Sequence, residues 1–263
     1  MINKFFTILA AALSISAFVY IYNPDKKMAM IIFGATVLIS ILLFYLEHVI
    51  KQNGSKLANA FVFYFTKNGK YIVKEKTFVY EQKNAKNWEA EKKYTIESRC
   101  NALEEIEDKF NWSAKSSEEP QIIALENGQK ICRIHEQEKW TLFTIRFNRS
   151  VSRRKSIYTG AGITNLIAEP SEVKPFLAAH VDTKTRRLKM IAKIPAQFKP
   201  INAKFSAYIA SSATPVFSRD IQYEAEEESF IETIEYPRKK WRYVITWEYG
   251  NDVQSGVDTA SND

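Results

Sequence analysis

The residues best suited to chemistry in this sequence are cations set beside aromatic rings and hydroxyls. Arg149, Arg153, Arg154 and Lys155 lead into Ile157-Tyr158-Thr159-Gly160-Ala161-Gly162, which puts guanidinium groups, a ring, a hydroxyl and glycine amides within fourteen residues. Arginine forks match phosphate oxygens, backbone amides can cradle an anion, and an aromatic face can stack on a base. Two further basic groups are Arg186 with Arg187, on a turn, and Arg238 to Arg242 around Trp241. The chemistry implied is capture of a phosphate-bearing ring ligand. Its binding candidates are Arg149, Arg153, Arg154, Tyr158, Thr159, Arg186, Arg187 and Trp241. The competing account of each cluster is a solvated turn or a patch facing anionic headgroups.

No catalytic signature accompanies these groups. The sequence has no phosphate loop ending in Lys-Ser or Lys-Thr, no GxSxG, no HExxH and no Cys-x-x-Cys. His180 and Asp182 stand two apart, so they share one face of a strand and could bind a metal or move a proton. No second histidine is near them in sequence, which favours a half-exposed strand face. Glu224, Glu226, Glu227 and Glu228 read as a solvated loop. The expectation is a binding protein rather than an enzyme, with no catalytic residue, metal ligand or cofactor.

The elements that must position the basic clusters begin after two apolar runs. Phe5 to Tyr22 is uncharged for eighteen residues, about 27 Å as a helix and close to the bilayer's hydrocarbon thickness. Asn23-Pro24-Asp25-Lys26-Lys27 then makes a turn, and Met28 to Leu46 is again uncharged, with Gly34 and Ala35 as small contact positions. A signal peptide is the competing reading of the first run, but no small-x-small cleavage site follows it. Residues 1–50 therefore read as a transmembrane α-hairpin with spans at 5–22 and 28–46. Lys4 before it and Lys51, Lys56, Lys67 and Lys70 after it outnumber the two lysines of the turn. The positive-inside rule then predicts a two-pass protein of the bacterial inner membrane with both termini cytoplasmic.

Residues 51–249 are a different kind of sequence. The chain carries a net charge of +7, and its last fourteen residues hold three Asp and no Lys or Arg, so the preceding part is distinctly basic and suits an anionic partner. Cys100 and Cys132 lack metal-ligand spacing and read as free thiols, with one disulfide as the alternative. Phe61, Phe63 and Phe65 before Asn68-Gly69, then Tyr71 to Tyr80, predict a hairpin. A short helix is expected near Ala102 to Phe110. Further hairpins are expected at Gln121 to His135 around Gly128, at Phe176 to Asp182 with Leu188 to Ile194, and at Phe230 to Tyr236 with Trp241 to Tyr249. Trp140 to Phe147, apolar on both faces, predicts a buried central strand, and Phe205, Ala207 and Ile209 a further strand. The fold class expected is a mainly β soluble domain, an antiparallel sandwich or barrel, as one domain or as two that split near residue 150. Residues 250–263 read as a disordered tail.

A membrane hairpin joined to a basic, strand-rich cytosolic domain without a catalytic motif resembles the two-helix β-rich effectors of bacterial anti-phage defence. The nearest type is the STING-like β-barrel effector of CBASS systems, and a sibling is the two-helix effector of certain retrons. The resemblance lies in layout, and no ligand residue is carried over from it. It implies a domain that senses a cyclic oligonucleotide, and membrane helices whose homo-oligomerisation disrupts the bilayer. The reading from a different class is a membrane-tethered Ig-like β-sandwich that binds a protein partner through exposed aromatics.

Overall fold

The computed structural model describes residues 69–250 apart from 113, 115, 138, 139, 170, 210 and 211, together with Gly34, Ala35, Leu38, Ala60 and Phe63. The chain forms two compact units, Met1–Ala58 and Asn59–Asp263. The expected spans lie outside the described residues except for Gly34, Ala35 and Leu38, which are helical. No helix of the described residues is long and apolar enough to cross a membrane. Residues 251–263 of the expected tail lie outside the description as well.

The larger unit is mainly β. Among the described residues its strands are β1 (Tyr71–Gln82), β2 (Asn87–Ser98), β3 (Leu103–Phe110), β4 (Gln121–Ala124), β5 (Lys130–Gln137), β6 (Trp140–Val151) and β7 (Ser156–Ile167), followed by β8 (Phe176–His180), β9 (Thr185–Lys193), β10 (Pro200–Ile209), β11 (Phe217–Ile221), β12 (Tyr223–Glu224), β13 (Ser229–Glu235) and β14 (Trp241–Tyr249). They make three open sheets, ordered β12-β13-β9-β1-β2-β7-β4, β11-β10-β14-β8 and β3-β6-β5. The pairing is antiparallel except for β1 with β9, which run parallel, so the largest sheet is mixed rather than purely antiparallel.

Period-two patterning explains which faces are buried. On β2 the inward positions are Trp88, Ala90, Lys92, Tyr94, Ile96 and Ser98; on β9 and just beyond they are Leu188, Met190, Ala192 and Ile194. Tyr243, Ile245 and Trp247 of β14 and Phe143 and Ile145 of β6 join them in one hydrophobic cluster. Residues from all three sheets, and from both sides of position 150, share that core.

Several expected pairings are replaced. β4 and β5 flank the Gly128 turn, where φ is +79°, yet β4 pairs with β7 and β5 with β6. β8 pairs with β14, while β9 pairs with β1 and β13. β13 and β14 likewise part into different sheets. Each of these three connections crosses from one sheet to another, so strands adjacent in sequence do not share a ladder. The hydrogen-bonded hairpins are β1–β2, β5–β6, β10–β11 and β12–β13.

Two local expectations are also corrected. Phe63, assigned to the first strand of a hairpin, is helical. The expected helix near Ala102 to Phe110 is strand β3, with Leu103, Ile106 and Phe110 buried. Their helical spacing arises because a register shift between Leu103 and Glu105 precedes an ordinary alternation of Ile106, Asp108 and Phe110. The inward residue that disguised the alternation is a carboxylate.

Candidate functional site

Asp108 meets Lys92, the charged residue on the inward face of β2. The Lys92 ammonium lies 3.3 Å from an Asp108 carboxylate oxygen and donates to the Lys109 carbonyl, and the Tyr94 hydroxyl donates to the same carboxylate. Lys92 is 5% exposed and lies over the Phe78 and Phe110 rings at 5.1 and 6.0 Å. Burial brings its pKa down to about 8 against the opposing pull of Asp108. Burial pushes the Asp108 carboxyl up, but the Lys92 and Lys76 charges and the Tyr94 hydroxyl outweigh it and hold the group below its ordinary value. Burial, reinforced by the Asp108 charge, drives Tyr94 well above the usual phenol value.

This network is the floor of a cavity of about 280 Å³ where the three sheets meet. The largest sheet contributes Lys76, Phe78 and Tyr80 of β1 and Lys92 of β2; the three-stranded sheet contributes Asp108 to Phe110, and Trp140; the four-stranded sheet contributes Phe176 to His180, and Arg242. Trp112, just after β3, closes one side and donates its indole N–H to the Tyr80 hydroxyl at 2.8 Å. A second cavity of about 280 Å³ shares the wall of Lys76, Asp108, Lys109, His180 and Asp182.

Not all of the cations around the first cavity are paired. Lys109 forms an ion pair with Asp182 at 2.8 Å and lies 4.8 Å from the Trp140 ring. Lys76 donates only to the His180 carbonyl, at 3.3 Å, and lies 5.4 Å from the Tyr94 ring. Arg242 stacks over Tyr208 at 4.6 Å, and its buried Nε has no acceptor among the described residues. Neither Lys76 nor Arg242 reaches a carboxylate among the described residues. His180, opposite Arg242 in the β8–β14 register, packs edge-on to Trp140 at 5.1 Å. Burial and then the Lys109 charge bring its pKa down to about 4, so the imidazole is neutral at pH 7.

The arrangement sets cations and aromatic rings around one cavity, which suits the capture of an anion. The lining contains no Ser, Thr or Cys that His180 could activate, and the described residues hold no metal-binding group of three or more His, Cys, Asp or Glu.

None of the eight sequence candidates lines this cavity or its neighbours. Arg149 is exposed late in β6, and Arg153 and Arg154 occupy the exposed Ser152–Lys155 turn, pinned to the end of β2 by the Arg154 N–H to Ser98 carbonyl bond of 2.8 Å. Thr159 is buried and its hydroxyl donates to Gln129 at 2.5 Å, whereas Tyr158 points to solvent from the next position. Gly160-Ala161-Gly162 is not a phosphate-cradling turn. It is buried mid-strand between β2 and β4, and a Cβ at Gly160 would meet the Lys92 carbonyl at 2.6 Å. Arg186 is exposed at the start of β9, and Arg187 is held by Glu235 at 2.6 Å and Glu75 at 3.7 Å. Arg187 and Tyr158 share one row across the largest sheet, three strands apart, or roughly 14 Å. Half-buried Trp241 stacks under Arg238 at 4.9 Å, facing away from its neighbour Arg242. Of the basic groups, only Arg242 reaches the cavity, together with His180 and Asp182. Lys76, Lys92 and Asp108 went unnoticed, although Lys92 occupies an inward slot between Ala90 and Tyr94 that alternation alone identifies.

No family model matches the chain, and no curated protein matches it. Among solved structures, the M1 zinc metallopeptidase from Deinococcus radiodurans is 11% identical with a TM-score of 0.37, covering 69% of this chain and 44% of that one. A mutant of that enzyme bound to a Tyr-Ser-Ala substrate gives 11% identity and a TM-score of 0.36, covering 67% and 42%. This chain thus spans less than half the length of those structures, and neither fold nor activity is read from them.

Proposed function

We propose that the β-rich unit is a binding domain whose three-sheet cavity receives a small anionic, ring-bearing ligand of the nucleotide class, and that it works as the sensor of a membrane-anchored effector. The observation that carries this reading is the pair Lys76 and Arg242, cations without a carboxylate partner among the described residues, facing a cavity walled by Trp112, Trp140 and Phe176. Anion capture would use the two cations and ring packing the tryptophans. The membrane part follows from the layout of residues 1–50: a two-pass inner-membrane anchor whose copies associate when the ligand favours the associated state. Three open sheets around a common core support a layered sandwich over a closed barrel.

The test is thermal unfolding of the full chain in mild detergent with 5′-AMP, 5′-GMP and cyclic di-AMP. Saturation at about a hundred times Kd adds roughly 2.7 kcal/mol to the folded state. The expected result is a shift that Arg242→Met and Lys76→Met abolish and Arg153→Ala leaves intact. A shift lost in Arg153→Ala and kept in Arg242→Met would overturn the assignment to this cavity. The protein-partner reading has its own support in Ile209, Val216 and Phe217, exposed apolar residues at one end of the β10–β11 hairpin. Phe217→Ser separates the two readings, because it leaves the ligand response unchanged.

A further inference from the structure

We infer that the cavity selects a dianionic head group, a terminal phosphate monoester, over the singly charged phosphodiester of a cyclic nucleotide. The inference rests on the anion-site reading above and makes it specific. Four cations face the cavity, Lys76, Lys92, Lys109 and Arg242, against two carboxylates, Asp108 and Asp182. Asp108 is taken by Lys92 and the Tyr94 hydroxyl, and Asp182 by Lys109. Two positive charges are left over.

Those two charges line one cavity and both act on His180. Lys76 donates to the His180 backbone carbonyl, and Arg242 is the β14 residue in register with His180, its guanidinium resting over the Tyr208 ring. A head group beside His180 would draw the Lys76 ammonium from the largest sheet and the Arg242 guanidinium from the four-stranded sheet. A phosphate monoester near neutral pH satisfies both; a diester satisfies one and leaves the other cation uncompensated in a partly desolvated site. Size points the same way. The cavity of about 280 Å³ lies just below the usual range of small-molecule sites, so it suits one head group with one ring rather than a cyclic dinucleotide.

Isothermal titration of the full chain in detergent with 5′-AMP and with 3′,5′-cyclic AMP tests the inference, because the two share base and ribose and differ in phosphate charge. The expected result is about tenfold or greater preference for 5′-AMP, lost in Lys76→Met and in Arg242→Met and partly restored in Arg242→Lys. Lowering the pH from 7.5 to 5.5 protonates a monoester, whose second pKa is about 6, and weakens 5′-AMP but not sulfate. The groups facing the head group are Lys76 from β1, Lys92 from β2, Asp108 and Lys109 from β3, His180 from β8, Asp182 beyond it and Arg242 from β14. Of these, His180, near 4, titrates below that window, and Lys92, near 8, gains charge at its upper edge, which would strengthen anion binding as the pH falls and so opposes the expected weakening. Equal affinity for the two nucleotides, with both weakened by Arg242→Met, would overturn the dianion preference and leave the anion site standing. No binding of either, or binding indifferent to both Lys76→Met and Arg242→Met, would overturn the site itself.

Discussion

Raising the pH from about 8 to 9 should stabilise this protein, because Lys92 is a buried ammonium that the folded state holds only with difficulty. Its folded pKa is about 8 against an ordinary 10.5. Between those values the unfolded chain keeps a proton the folded chain has released, so stability rises with pH across the window. At 1.36 kcal/mol per unit, a displacement of that size corresponds to roughly 3 kcal/mol when the window is crossed in full. Tyr71, Tyr80, Tyr94, Tyr223, Tyr243 and Tyr249, all raised chiefly by burial, oppose it as the pH nears 10, because there the unfolded phenols ionise first. Stability should therefore peak between about pH 9 and 10. Urea unfolding followed by tryptophan fluorescence at pH 7, 8, 9 and 10 reads this directly, with Lys92→Met as the reference that should not rise. A wild-type curve that falls from pH 8 to 9, or a Lys92→Met curve that keeps the same rise, would refute the reasoning. At pH 7 the single variant should cost about 3–5 kcal/mol, since it strips Asp108 of its nearest counter-charge, whereas Lys92→Met with Asp108→Leu should regain much of that loss.

The remaining predictions concern other groups. His180→Gln should flatten the acid limb of stability between pH 6.5 and 4, the range in which the unfolded histidine takes up a proton that the folded one, near 4, refuses; denaturant titrations at pH 7, 6, 5 and 4 measure it. Gly160→Ala should destabilise by about 1–3 kcal/mol, because its Cβ meets the Lys92 carbonyl at 2.6 Å and the Leu125 side chain at 2.9 Å; a thermal melt is sufficient. Arg219→Met should cost about 2 kcal/mol, because Glu232, 4% exposed, loses both of its 2.6 Å bonds to the guanidinium; urea unfolding measures the loss.

The candidate site was poorly legible in the sequence, and the reason is physical. Lys76, Lys92 and Asp108 lie on β1, β2 and β3 in turn and meet only because two sheets face each other, while the sequence shows them as three ordinary charges in polar stretches. Asp108 also broke the alternation of β3 and made Ile106 and Phe110 look like one side of a helix. The arginine-rich stretch before Gly160 suggested an anion-binding cluster because composition does not reveal that the amides of Gly160 to Gly162 are used by ladders to β2 and β4. His180 and Asp182 were visible as a pair, but nothing near them in sequence announced Trp140, Lys109 or Arg242.

What the sequence determined by itself is the class of structure: alternating apolar residues on Leu188 to Ile194 and Trp241 to Tyr249 require strands with one buried face, and their turns are marked by Gly, Asn and Pro. Only the tertiary structure decided which strands pair. A tight connection can fold two strands into a hairpin or send the second across the core, and the local residues suit both; the choice at Gly128, at Thr183 and at Pro237 is made by the apolar faces that must meet. The crossings at Thr183 and Pro237, after β8 and before β14, deliver His180 and Arg242 to the cavity.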